Sequence, residues 1–531
     1  MLSLSKQSKL LYLQNRDILT LIFHFPQTNK KKNIVEDIMK KTFLLFILAL
    51  CSIALFAQNE DWFWAKQAGG TSDDYGSSIA VDDNGNSYVT GDFAESATFG
   101  TTTLTSSGYD DIYVAKMDSN GNWLWAKQAG GTNWDYGYGI AVDAYGNSYV
   151  TGYFYSSSCS FGTITLINNN SEFIDIFVAK LDSSGNWLWA KQAGGSYRDY
   201  GYSIAVDANG NSYITGSFED SANFGTTTLT SSNSSDIFVA KLDNNGNWLW
   251  AKKAGGNSGE RGYSIAVDAN GNSYVTGYFY SSSCSFGTIT LINNSSPYEN
   301  IFAAKLDSNG NWLWAKQAGG TDYDIGYSIA VDTNGNSYVT GYFYSSSCSF
   351  GTITLINCCP EYCTEIFVAK IDPNGNWLWA KQAGESYLNC SYGIAVDGNG
   401  NSYITGSFSG SPTFGTITLI NSSSEYNEEI FVAKIDHNGN WLWANQAGGT
   451  STDRGYSIAI DANGNSYITG LFGVSSTFGT TTLNSSGSWD IFVAKLGEAN
   501  SISLPDIISF SGIRSIYPNP FNPLTTIDYE I

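Results

Sequence analysis

Two histidines among 531 residues set the first limit on what chemistry this chain supports. His24 lies ahead of an export-like segment, and His437 sits in a turn, "DHNGN". A Ser-His-Asp or Cys-His relay needs a base beside its nucleophile, and a His-rich metal site needs several imidazoles. The sequence offers neither, so no catalytic or metal-ligating residue is assigned. Carboxylate-only catalysis stays open, because two acids can divide the acid and base roles. Against it, no repeat unit carries a distinctive acidic pair inside its strands.

The commonest acidic pattern is Asp-x-x-Gly-Asn, thirteen copies of it, beginning for example at Asp82, Asp118, Asp207, Asp243, Asp332 and Asp372. Alternating Asp and Asn is compatible with calcium, but the Gly falls too early and the bidentate Glu of an EF-hand is missing. The pattern reads instead as a hairpin turn, with Asp accepting from backbone amides and Gly supplying a left-handed φ. No cofactor is implied. Of eight cysteines, Cys159, Cys284 and Cys348 share one "SSSCSFG" slot in three units and read as small buried residues. Cys358, Cys359, Cys363 and Cys390 cluster in sequence, and a disulfide among them fits an exported protein.

The elements that place these residues repeat. Paired tryptophans stand at 62/64, 123/125, 187/189, 248/250, 312/314, 377/379 and 441/443. A period of this size marks a propeller or a solenoid. Within one unit, "SIAVD" (203–207), "SYITGSF" (212–218), "DIFVAKLD" (236–243) and "WLWAKKAGG" (248–256) read as strands a, b, c and d, separated by turn residues. Four antiparallel strands make a propeller blade. Seven a-b-c sets occur, beginning at Ile79, Ile140, Ile204, Ile265, Ile329, Ile394 and Ile458. The d strands are offset: the first, at Trp62, precedes every set, and the last set ends at "IFVAKLG" with none after it. The orphan strand can complete the last blade and close a ring of seven, covering an otherwise open edge. Trp123, Trp125 and Lys127 share a strand face, so the tryptophans read as glue between blades, each with a Lys stem and a cation–π contact beside it. Stacking on sugars is the alternative.

The run "GYSIAVDANGNSYVTGYF…FG…TL…DIFVAKLD.NGNWLWAKQAGG" resembles the SBBP repeat of bacterial β-propellers. The resemblance spans residues 62–497 and implies a secreted propeller with no defined activity. The fold class expected is therefore all-β, a seven-bladed propeller of four-stranded antiparallel blades over 58–497.

Loop composition then separates the two ends of the ring. The a–b and c–d turns are monotonous, whereas the d–a and b–c loops change from blade to blade, as "TNWDYG", "SYRDYG", "NSGERG", "TDYDIG" and "TSTDRG" show. Variation on one face of a rigid scaffold is what a binding surface presents. Its expected carriers are Trp134, Asp135, Tyr197, Arg198, Asp199, Glu260, Arg261, Tyr323, Asp324, Asp453 and Arg454. The sorting holds only while "FGTTTLT" is not a full extra strand, which would reverse the parity.

The flanks differ from the repeats. "MKKTFLLFILALCSIALFAQ" from Met39 has the lysines, short apolar run and small residue of a signal peptide, cut after Ala57. Residues 1–38 read as an upstream mis-start. Residues 1–57 hold 8 of the 26 basic and 3 of the 48 acidic side chains, so the remainder has a net charge of −27. That charge disfavours nucleic acid and anionic membranes as partners. After a linker (498–512), "IYPNPFNPLTTIDYEI" resembles the opening of a type IX secretion sorting domain (513–531). This implies export across the outer membrane of a Gram-negative bacterium and a piece of a longer product. The expectation is a monomeric, secreted or surface-bound, non-enzymatic scaffold that binds a glycan or a protein. A polysaccharide hydrolase or lyase working through carboxylates, and a structural spacer, are the alternatives.

Overall fold

The computed structural model describes residues 60–498, except 169, 171, 359–362, 385–386 and 422–426, together with two short strands at 515–517 and 526–528. The expected signal peptide and mis-start lie outside the described residues. The chain divides into two units, 60–497 and the two flanks. In the second unit Ser515–Tyr517 pairs antiparallel with Thr526–Asp528.

Blade 1 shows the plan. Strands a (Asp74–Val81), b (Ser87–Phe99), c (Thr102–Met117) and d (Trp123–Ala129) form one antiparallel sheet in chain order. Strands a of neighbouring blades pack in an unbroken circle, blade 7 returning to blade 1, so they are innermost. Blade 7 consists of Arg454–Ile460, Ser466–Phe478, Thr481–Glu498 and, as its fourth strand, Glu60–Ala68 from the chain's beginning. The ring is closed as the strand count requires.

The hydrophobic core is divided among the seven blade junctions. Ile112 and Val114 of strand c join a cluster with Val150, Phe154 and Phe177 of blade 2. The alternate residues Tyr113 and Ala115 join one with Ile491 and Val493 of blade 7. Strand c is covered on both faces, which is why "DIFVAKL" reads as an apolar run rather than an alternation.

"FGTTTLT" is neither a loop nor one extra strand. It belongs to a two-stranded hairpin in the b–c connection, Ser221–Phe224 with Thr227–Thr230 in blade 3. Two strands leave the parity intact. Each hairpin pairs with the end of the preceding blade's strand d, as at Gly194↔Asn223 and Gly255↔Ser285, and at Gly69↔Thr98 across the closure. These clasps join the blades by backbone hydrogen bonds at the rim.

The tryptophans differ from expectation in detail. The first of each pair packs edge-on against the hairpin Phe of its own blade, Trp123 on Phe99 at 5.2 Å and Trp248 on Phe224 at 5.3 Å. In six of the seven pairs the second donates its indole N–H to the c–d turn of the next blade, as Trp125 to Ser183 O (3.2 Å) and Trp64 to Ser119 O (3.3 Å); Trp443 does not. At the closure the first residue bridges as well, Trp62 donating its indole N–H to Gln446 O of blade 6 (3.3 Å). The cation–π partner is tyrosine, not tryptophan: Lys116 Nζ lies 4.6 Å from the Tyr88 ring, and every blade repeats the contact at 4.6–4.9 Å.

The Asp-x-x-Gly-Asn segments are turns. Asp82 Oδ1 accepts from the amides of Asn84 (3.0 Å) and Asn86 (2.9 Å), Oδ2 accepts from Asn86 Nδ2 (2.8 Å), and Gly85 has φ +75°. Cys159, Cys284 and Cys348 are fully buried. Cys363 takes part in a disulfide, Cys358 and Cys390 are thiols, and Cys359 lies outside the described residues.

Candidate binding site

The register fixes which loops share a face. Val81 pairs with Ser87 and Met117 with Trp123, so both uniform turns lie at one end of the blade. Asp74 pairs with Phe93 and Ile112 with Ala129, placing the variable d–a and b–c loops together at the other.

Strand a carries a bulge in every blade. In blade 3 the register runs Gly201↔Gly216 and then Ser203↔Thr215, skipping Tyr202. A bulge re-aims the extra side chain. Here it turns one residue per blade into the central channel: Ser77, Tyr138, Tyr202, Tyr263, Tyr327, Tyr392 and Tyr456. The six tyrosines contact one another in series, with centroids 5.2–5.8 Å apart from Tyr138 round to Tyr456. Ser77 breaks the circle. Against this gap lies a cavity of about 830 Å³, bordered by Tyr75, Tyr136, Tyr138 and Tyr456 and by three acids, Asp73, Asp92 and Asp110.

The acids come from three elements. Asp73 is in the d–a loop, Asp92 is on strand b, and Asp110 is on strand c opposite Ala94. Asp110 Oδ2 accepts from Tyr136 Oη at 2.7 Å. Asp92 is 5% exposed and has no donor among the described residues. Burial, with Asp110 and Asp74 adding repulsion, holds its carboxyl well above the usual carboxylate range. The statement that no unit has an acidic pair within its strands is therefore corrected: Asp92 and Asp110 form one in blade 1. The signal was present, since Asp92 stands where the other b strands have Tyr153, Ser217, Tyr278, Tyr342, Ser407 and Leu471, and Ser77 stands where they have tyrosine.

The expected carriers divide by burial. Trp134, Tyr197, Arg198 and Tyr323 are exposed on the variable face. Trp134 stacks on Tyr109 at 4.5 Å, Tyr197 packs on Phe173 at 5.0 Å, and Tyr323 on Tyr298 at 5.1 Å, each pair spanning two blades. Arg261 faces the channel beside Tyr200, Tyr202 and Tyr263. Arg454 is held by Glu428 through two hydrogen bonds, Nε to Oε2 at 2.8 Å and Nη2 to Oε1 at 2.6 Å.

Asp135, Asp199, Glu260, Asp324 and Asp453 are buried and brace the loops instead of facing solvent. Asp135 Oδ2 accepts from the Gly131 amide (2.7 Å) and the Ser156 hydroxyl (2.7 Å). Asp135, Asp199, Glu260 and Asp453 each lie near the acid that opens the preceding blade's inner c strand, Asp111, Asp175, Asp236 and Glu429. A methyl group on Gly69 (φ +145°) would lie 2.8 Å from Asp490 Cγ and 2.9 Å from Asp74 Oδ2, so both carboxyls converge on that glycine. Burial raises Asp74, Asp199 and Asp453 to about 8, Asp175, Asp324 and Glu260 to about 7, and Asp135 to about 6.

The closed ring of seven four-stranded blades defines the class: this is a seven-bladed β-propeller. Seven segments, 64–92, 124–153, 188–217, 249–278, 313–342, 378–407 and 442–471, match the SBBP family model, described as a beta-propeller repeat. The chain is 26% identical over 500 residues to the uncharacterized WD repeat-containing protein L264 of Acanthamoeba polyphaga mimivirus, covering 77% of this chain and 36% of that protein. It is 27% identical over 168 residues to the regulatory protein FlaEY of Caulobacter vibrioides, covering 31% of this chain and 15% of that protein. It thus spans about a third or less of either relative. Among solved structures it is similar to the quinohemoprotein alcohol dehydrogenase of Comamonas testosteroni, with TM-score 0.41, 12% identity and coverage of 83% and 77% of the two chains. It is also similar to YCF48 bound to D1 peptide, with TM-score 0.38, 11% identity and coverage of 83% and 97%.

Proposed function

We propose that this propeller is a non-enzymatic binding scaffold that takes an extracellular glycan or protein at the mouth of its ring. One observation carries the reading. Residues that differ between blades gather round the axis on one face, while the opposite face repeats a single turn thirteen times. Trp134, Tyr197, Arg198 and Tyr323 are the outer contacts, and the blade 1 cavity with Arg261 is the inner one. The buried acids keep the loops in place. A signal peptide at 39–57 and a sorting tail from 513 would deliver the chain to the cell surface or beyond.

The full chain is screened on glycan arrays and against surface and extracellular proteins. Binding is expected to fall at least tenfold when Trp134, Tyr197 and Tyr323 are replaced by Ala or when Ser77 is replaced by Tyr. Unchanged binding by all of these variants places the ligand elsewhere. The Asp92–Asp110 pair favours one other reading, a polysaccharide hydrolase with Asp92 held protonated as the acid. Release of reducing ends from a polysaccharide panel, lost in Asp92→Asn, would establish it.

A further inference from the structure

The blade 1 cavity also bears on the chemistry of the ligand. Its only charged groups are acids, because no lysine or arginine lines it. Asp92 is the decisive one. It is buried, borders the cavity and receives no hydrogen bond or ion pair from the described residues. Native proteins satisfy nearly all such groups, and an exception calls for an explanation. The other buried acids on this face have one: Asp74 and Asp135 accept from the loop amides of Gly70 and Gly131. Asp92 has no structural task of that kind, and the other six blades fold without an acid at its position.

The remaining walls point the same way. Tyr75, Tyr136, Tyr138 and Tyr456 surround the acids, and aromatic faces attract cations through their quadrupole. The gap that admits a ligand exists because Ser77 replaces the seventh tyrosine. The chain's net charge of −22 raises the local concentration of positive ligands. A metal ion fits poorly, since no group of three or more His, Cys, Asp or Glu side chains among the described residues is placed to hold one.

We propose that the cavity between Ser77, Asp92 and Asp110 binds a positively charged organic nitrogen, an ammonium or guanidinium group carried by the ligand, with Asp92, which releases its proton to solvent as the cation enters, as its counter-ion and the tyrosines as its walls. This rests on the reading of the ring mouth as the binding face. The group can come from a basic side chain of a protein or from an amino sugar of a glycan.

The test is calorimetric titration of the full chain with butylammonium, butylguanidinium and the neutral N-butylacetamide. At least one cation is expected to bind ten times or more tightly than the neutral compound. Asp92→Asn, which keeps the shape and removes the charge, is expected to weaken it at least tenfold. Ser77→Tyr, which installs the residue used by six blades, is expected to abolish binding and leave the thermal midpoint unchanged. Asp220→Asn, an exposed acid away from the cavity, should bind as the parent does. Lysine-containing peptide and glucosamine oligomer, titrated in parallel, separate the two sources. Equal binding of neutral and cationic probes, or no loss in Asp92→Asn, overturns the proposal. If array ligands are lost in Ser77→Tyr but retained by Asp92→Asn, the charge assignment fails while the ring mouth stands. If both variants keep their array ligands, the ring mouth fails as well.

Discussion

Trp62 packs edge-on against Phe478, 416 positions away in sequence, with ring centroids 5.1 Å apart and planes at 86°. Trp248 and Phe224 make the same contact within blade 3, at 5.3 Å and 85°. A residue near one end of the propeller thereby does the work of a mid-chain one.

This equivalence is measurable. Trp62→Ala should destabilise the fold by about 2 kcal/mol, below the range for a fully buried Trp because this one is half-buried. The loss should match that of Trp248→Ala within about 0.5 kcal/mol. Urea unfolding compares the two, and a negligible effect at Trp62 alone would mean that the closing strand frays.

The buried acids at the blade junctions give stability an unusual pH dependence. Asp74, Asp199 and Asp453 stand at about 8 in the folded chain against an ordinary 3.8, chiefly through burial. The folded state then binds more protons than the unfolded state between those values. The stabilisation is complete below about pH 4 and is lost as pH rises through 8. The turn aspartates act oppositely: against slight burial, hydrogen bonds from Asn122 hold Asp118 low, and their contribution disappears on acidification. Urea midpoints should fall from pH 5.5 to 8.5 by the equivalent of at least about 2 kcal/mol. A flat or rising profile would contradict protonation of the buried junction acids.

Two junctions carry an amide in place of one acid, Asn300 at the start of the blade 4 inner c strand and Asn389 at the start of the blade 6 a strand, their Nδ2 groups donating to Asn293 Oδ1 (3.0 Å) and Thr364 O (3.0 Å). An uncharged side chain is thus accommodated at these positions. Asp175→Asn should therefore leave stability at pH 5.5 within about 0.5 kcal/mol and raise it at pH 8.5, flattening the profile. Loss of stability at both pH values would show that this carboxyl works ionised.

Neighbouring a strands are tied by a serine hydroxyl that accepts from the next blade's amide, Ser78 from Ile140 at 3.3 Å and Ser457 from Ile79 at 3.2 Å. Blades 2 and 6 have Gly139 and Gly393 in that position, beside the amides of Ile204 and Ile458. Gly139→Ser should add the missing bond and stiffen the chain, for a gain of about 1 kcal/mol. A loss in thermal midpoint would show that the contact at 3.0 Å from Ser203 Cα does not relax.

Arg454 and Glu428 test the mouth from the other side. Arg454→Ala leaves a largely buried carboxylate without its cation and should cost about 2–3 kcal/mol. Arg454→Lys keeps the charge but not the two-point geometry, and should recover only part of it. Equal stability of all three would reduce the pair to an exposed one.

The sequence alone determined the number of blades, the strand order, the closing strand and the role of the Asp-x-x-Gly-Asn turns. Those features depend on local spacing and on a count, and a repeat states each of them many times over. The tertiary structure decided what depends on distance between units. It alone showed that "FGTTTLT" folds back as a clasp on the preceding blade. It alone turned a tyrosine of six blades and Ser77 of the seventh into the channel through a bulge, and it placed Asp92 beside Asp110. It also moved Asp135, Asp199, Glu260, Asp324 and Asp453 from the surface to the junctions. The reason is physical: a side chain's direction follows from alternation only while the ladder is regular, and here the bulge and the hairpin break it where the site is made.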